Sequence, residues 1–110
     1  MAKLVILEPA QKELEEIALT RLRLVGPNSA REITDLIYDT LGRLESFPLS
    51  GHPPRDRWLE RESYRYVIAG KYIALYRYIE AEDVVYVYHL AHGARDYPVL
   101  FKRLLKEEPN

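Results

Sequence analysis

Three tyrosine- and valine-rich stretches dominate the second half of the chain: "SYRYVI" (63–68), "KYIALYRYI" (71–79) and "VVYVYHLA" (84–91). Aromatic and β-branched residues at this density favour strands. Ala69-Gly70 separates the first pair and "EAED" the second, so the three read as an antiparallel meander. Side chains alternate between the faces of a strand. In the middle stretch Tyr72, Ala74, Tyr76 and Tyr78 share one face, and Lys71, Ile73, Leu75, Arg77 and Ile79 the other. In the last stretch Val84, Tyr86, Tyr88 and Leu90 oppose Val85, Val87 and His89. Neither face is consistently polar, and whatever else the chain forms must shelter this sheet.

The first half supplies two helices. "KLVIL" (3–7) reads as a strand ending at Glu8-Pro9, and Pro9 suits a first helical turn, where its missing N–H is not needed. The following segment, 9–25, sets Leu14, Ile17, Ala18, Leu22 and Val25 on one stripe, with acids early and arginines late as the helix dipole prefers. Gly26-Pro27 stops it, and Ser29 with Glu32 forms a capping box that predicts the start of a second helix. Ile33, Leu36, Ile37, Thr40, Leu41 and Leu44 then recur in steps of three and four. "SFPLSGHPPRD" (46–56) is a loop, and "DYPVLFKRLLKEE" (96–108) predicts a short closing helix with Val99, Leu100, Leu104 and Leu105 inward. The order is β-α-α-β-β-β-(α): one α+β domain over residues 1–110, with the helical hairpin on one face of a small, mainly antiparallel sheet. A two-helix hairpin covers only one face. The other is expected to stay apolar with a basic fringe, a patch that monomers rarely tolerate, so a partner chain is expected over it.

At 110 residues the chain can bury about two-thirds of its unfolded surface. The formal net charge is −1, which excludes a generic polyanion binder. Residues 52–77 nevertheless carry Arg55, Arg57, Arg61, Arg65, Lys71 and Arg77 against Asp56, Glu60 and Glu62, a local net of +3. Such a basic sheet region fits a nucleic-acid or acidic-peptide partner, and equally an ordinary solvated surface. The absence of cysteine excludes disulfides and thiolate metal sites and fits a reducing compartment. No apolar run reaches a membrane span, and no cofactor motif is present; a cytoplasmic protein is the expectation.

Four segments in this order, "ILEPAQKELEEI", "LESFPLSGHPP", "YRYVIAGKYIALYRY" and "VVYVYHLAHGARDY", resemble the RelE/ParE superfamily, the toxins of type II toxin–antitoxin modules, also called plasmid stabilisation proteins. The resemblance implies a growth-inhibiting toxin with a curved sheet, neutralised by a cognate antitoxin whose disordered segment folds onto it. A homodimer, or a heterotetramer with the antitoxin, is an assembly open to such a protein. RelE-like members are endoribonucleases that cut mRNA on the ribosome (mRNA interferases), whereas ParE-like members poison DNA gyrase. An inactive member that only binds is a third reading.

Attack by a 2′-OH needs a base, an acid for the leaving oxygen, and fixed positive charge on the phosphate. In the RelE pattern that work falls to cations on the central strands and to an arginine and a tyrosine after the last one. The last pair matches Arg95 and Tyr97, while the central positions fall on Tyr64, Tyr66 and Ile73. Arg65, Lys71 and Arg77 lie one or a few residues away, and for Arg65 the one-residue offset in a strand changes the face. The resemblance therefore favours the gyrase-poison reading. In the ribonuclease reading His92, Arg95 and Tyr97 would be catalytic. Arg65, Lys71, Ile73, Leu75, Arg77, His89 and Trp58 are the expected target or antitoxin contacts. Each has an ordinary alternative: His92 as a turn histidine, His89 as a satisfied core histidine, Arg95 paired with Asp96, Tyr97 packed under the last helix, and Trp58 capping the core. A metal site from His89, His92 and Asp96 is disfavoured by the strand geometry, and no metal is expected.

Overall fold

The computed structural model describes residues 1–93 and 96–107. Strand β1 (Lys3–Ile6) leads into helix α1 (Glu8–Leu24), which is followed by α2 (Pro27–Gly42) and a 3-10 turn at Arg43–Glu45. After the loop come a short helix α3 (Arg57–Arg61), strands β2 (Arg65–Ala69), β3 (Tyr72–Ile79) and β4 (Val84–His92), and helix α4 (Tyr97–Glu107). The sheet order is β1-β4-β3-β2, with β1 parallel to β4 and the other pairs antiparallel. Gly70, at φ 61°, turns β2 into β3 in a conformation that glycine adopts without strain.

The hairpin packs as its periodicity predicts, with two corrections. Ala10, Leu14, Ile33, Ile37, Leu41 and Leu44 form one core with Ala74, Tyr76, Val85, Val87 and Leu90 of the sheet. The Ser29–Glu32 box does not start α2. Pro27 opens the helix behind Gly26, which sits at φ 134°, and Ser29 instead accepts a hydrogen bond from Arg21 Nη1 at 3.1 Å. The stripe on α1 also ends early: Leu22 and Val25 are exposed, as are Leu19 and Leu24, so its last two turns add nothing to the core.

A bulge alters the sheet. Leu75 pairs with His89 but Tyr76 pairs with Val87, so Tyr88 is the extra residue on β4. Face parity therefore reverses along β4, and Leu90 joins Val85 and Val87 in the hairpin core instead of opposing them. Simple alternation cannot foresee this, because the bulge is a property of the pairing.

The main correction concerns the second face. It does not lie open for a partner: α3 and α4 cover it from within the chain. Leu59, Tyr64, Ile73, Leu75, Ala91 and Phe101 are buried there, with Trp58, Tyr66, Tyr88, Tyr97, Leu100, Leu104 and Leu105 packed around them. Of the side chains expected to point inward from α4, Val99 is exposed, and Phe101 takes the central place. Ile73, Leu75 and His89, expected as partner contacts, are inside the molecule at 7%, 0% and 2% exposure.

Candidate functional site

The covered face of the sheet is built from rings, and the polar groups there are held against them. Arg77, on β3, lies 4.7 Å from the centroid of Tyr64 and 5.1 Å from that of Tyr88. Its Nε and Nη2 donate to the Tyr88 hydroxyl at 3.1 and 2.8 Å, and Nη1 donates to the Glu62 carbonyl at 3.3 Å. Burial works against its charge, but the Tyr88 hydroxyl together with Tyr64 and Glu62 outweighs it and raises its pKa above the ordinary arginine value. Trp58 stacks on Tyr64 at 6.2 Å. The result is a boxed cation, worth cation–π and hydrogen-bond energy to the fold.

A second ring ladder runs beside it. His52 stacks on Tyr66 at 5.1 Å, Tyr66 meets Tyr97 at 5.1 Å, and Tyr97 meets Phe101 at 6.0 Å. Burial first, and then the hydrogen bond with the Tyr66 hydroxyl, push the Tyr97 pKa up to about 12, against the opposing pull of Arg55. Tyr97 is therefore neutral at physiological pH.

At the other end of the face, Glu13 of α1 reaches the bulge. Its carboxylate accepts the Leu90 N–H at 2.8 Å and lies 3.1 Å from His89 Nδ1, while the His89 ring stacks on Phe101 at 6.2 Å. α1 and β4 thus meet at one carboxylate, and α4 packs on the imidazole beside it. Beside it a groove of about 470 Å³ opens between these elements, walled by Ile17, Leu90, Leu100 and Leu104, with Glu16 and Arg103 also lining it.

The predicted residues fall into separate groups: Lys71, Ile73 and His92 line one notch of about 320 Å³ with Tyr72 and Gly93, and the others lie apart from it. Arg65 turns away and donates to the Gly51 carbonyl at 3.0 Å. Gly51 has no room for a side chain, since a Cβ there would sit 2.5 Å from the Tyr76 hydroxyl and 2.9 Å from the Tyr66 carbonyl. Lys71 is exposed in the β2–β3 turn, where its carbonyl accepts the Gly93 N–H at 2.7 Å. His92 meets Tyr72 edge-on at 5.4 Å, whereas Tyr97 keeps company with Tyr66 and Phe101. Arg95 lies outside the described residues. Among the described residues no three His, Asp or Glu side chains converge as metal ligands, and no helix is long and apolar enough to cross a membrane. Sequence reasoning missed Glu13, His52 and Arg55. Only the third left a trace, as part of the basic run.

Residues 4–97 match the family model described as ParE toxin of type II toxin-antitoxin system, parDE. No curated protein matches the sequence. Among solved structures, the chain superposes on one from the chromosomal ParDE TA system of P. aeruginosa with a TM-score of 0.68 at 17% identity, covering 84% of this chain and 96% of that one. The isolated E. coli RelE toxin matches with a TM-score of 0.58 at 18% identity, over 94% of this chain and 99% of that one. A chain of the RelBE2 toxin-antitoxin complex from Mycobacterium tuberculosis also gives a TM-score of 0.58, at 18% identity and 83% and 96% coverage. At such identities these structures speak for the fold alone.

Proposed function

Because this chain belongs to the family of ParE toxins of type II toxin–antitoxin systems, we propose that it arrests growth by binding DNA gyrase and holding a cleaved-DNA state, without cutting nucleic acid itself. One observation carries this reading. The three central-strand positions where the ribonuclease pattern needs cations hold Tyr64, Tyr66 and Ile73, and two of these are buried. The neighbouring Arg77 is held in its tyrosine box, and Arg65 is turned to the loop. The middle of the sheet thus offers one guanidinium, Arg77, already tied to the Tyr88 hydroxyl and the Glu62 carbonyl, in place of the several cations the ribonuclease pattern sets around a pentacovalent phosphate.

The partner that silences the toxin is, in this reading, a cognate antitoxin. Its seat is the groove between α1, the end of β4 and α4, whose Ile17, Leu90, Leu100 and Leu104 suit the apolar side of an amphipathic segment. Purified toxin added to gyrase, plasmid and ATP should convert supercoiling into trapped, cleaved plasmid, and the same toxin should leave ribosome-bound mRNA whole. Intact gyrase activity together with mRNA cut only on ribosomes, and lost in Arg95→Ala, would overturn the proposal in favour of the ribonuclease.

A further inference from the structure

The ladder of His52, Tyr66 and Tyr97 has no role in the gyrase reading, yet its outer end is open to solvent. His52 and Arg55 are exposed, while Tyr66 and Tyr97 are half-buried. The His52 backbone is fixed to the outer edge of β2 by two hydrogen bonds, from its N–H to the Tyr66 carbonyl at 2.7 Å and from the Tyr66 N–H to its own carbonyl at 3.0 Å. The imidazole stacks on Tyr66 with its plane tilted by 30°. An exposed ring carried on a fixed strand edge is a preformed stacking step.

Cations flank that step. Arg55 is exposed and follows His52 by three residues on the same loop. On the other side, His52 borders a notch of about 250 Å³ shared with Arg43, Ser50, Val67 and Ile68, and Arg43 is exposed. The nearest acid in sequence, Asp56, is occupied by the Leu59 N–H at 3.0 Å and by Lys102 Nζ at 2.9 Å.

We propose that this edge binds single-stranded nucleic acid, a base stacking on the His52–Tyr66 step with adjoining phosphates on Arg55 and Arg43. A π-face next to guanidinium groups is the chemistry that recognises unpaired nucleotides regardless of sequence. A duplex buries its base faces and cannot use the step. A protein partner would want an apolar centre, and here the exposed groups are imidazole, guanidinium and hydroxyl, with Ile68 the exposed apolar side chain of the notch. The chemistry is common to DNA and RNA strands, and it stands whether or not gyrase is the target.

The test is fluorescence anisotropy of the full-length toxin with short labelled DNA and RNA strands of one sequence and with the corresponding DNA duplex, at several salt concentrations. Single strands should bind and the duplex should bind far less; comparison of the DNA and RNA arms identifies the natural source. His52→Ala should weaken binding by about tenfold through lost stacking, with the salt dependence unchanged. Arg55→Ala should weaken it and flatten the log–log salt slope by about 0.7 for the lost phosphate contact. Both side chains are exposed, so unchanged melting will certify the fold. Absent strand binding, equal binding of duplex, or full binding by both variants overturns the proposal. So does a loss of gyrase affinity in these variants with strand binding intact, which would make the edge a protein contact. Failure of gyrase trapping by the wild type bears only on the preceding section.

Discussion

On one face of the sheet Ile37, Leu41, Leu44, Val85 and Val87 meet aliphatic group to aliphatic group; on the other Tyr64, Tyr66, Tyr88, Tyr97 and Phe101 meet ring to ring. The first contact is non-directional and scales with buried area, so any well-patterned amphipathic hairpin of the right volume satisfies it. The second is directional. Polar groups drawn under α3 and α4 are tied to specific partners: Tyr88 for Arg77, Tyr66 for Tyr97, Lys102 for Asp56. A sheet apolar on both sides can thus close on itself in two ways, by bulk where long helices are available and by specific polar ties where only short ones are.

If the ring-lined face is truly closed, deleting its keystone should be costly. Phe101 is fully buried, and Leu59, Leu75 and Ala91 belong to its cluster. Phe101→Ala is expected to cost about 3–5 kcal/mol in denaturant unfolding. A loss below about 1 kcal/mol, the range of a surface change, would mean that α4 is not docked and that the face is open after all.

How far each face could be read from the sequence follows the same division. The hairpin core was legible because steps of three and four record a helix facing a sheet, and Ile33, Ile37 and Leu41 are buried accordingly. The meander was legible from its separators. The second cover was not. α3 is five residues long, too short for periodicity, and its one signal is Asp56, whose carboxylate caps the Leu59 N–H. Nor could alternation place Leu90, because the extra residue Tyr88 is defined only by its pairing across to β3. At the site, the one-residue offset of Arg65 from Tyr64 and Tyr66 was visible, and Arg65 turns to the Gly51 carbonyl while the two tyrosines pack under α3 and α4. His52 was hidden in a proline-rich loop, where nothing announces that it pairs with Tyr66 as a strand would.

Glu13 sharpens the comparison, because it is the point where the hairpin itself contributes a directional tie. Glu13→Ala leaves the Leu90 N–H and His89 Nδ1 without their acceptor, which is expected to cost about 1–3 kcal/mol. Glu13→Gln keeps one carbonyl for the Leu90 N–H and should lose less. Equal losses in the two variants would show that the charge of the carboxylate matters more than its hydrogen bond to the strand. Within the aliphatic core the corresponding exception is Tyr76, whose hydroxyl donates to the Pro48 carbonyl at 2.8 Å and accepts the Gly51 N–H at 3.0 Å. Tyr76→Phe removes both bonds while keeping the ring, and about 0.5–1.5 kcal/mol should go with them. No measurable loss would place this face wholly in the non-directional class.

The finest separation between the faces is their response to acid. The Asp56 carboxyl is held below its ordinary value of 3.8, chiefly by the Leu59 N–H and then by Lys102. A carboxyl depressed in the folded state stabilises fully above the unfolded value, and that contribution disappears as pH falls through the folded one. Asp56→Asn keeps an N-cap acceptor but removes the charge. Wild type should therefore melt above Asp56→Asn at neutral pH, and the gap should close as pH drops below 3.8. Added salt should narrow it at neutral pH, because the pair with Lys102 is partly solvated. Hydrogen exchange gives this its spatial content: relative to the intrinsic rate, which itself falls with pH, acid should accelerate exchange in α3 and α4 before it touches α2, whose buried Ile33, Ile37 and Leu41 carry no titrating group. Simultaneous acceleration in all three helices would mean that the two faces open as one unit, and the polar ties would then be redundant to the aliphatic core.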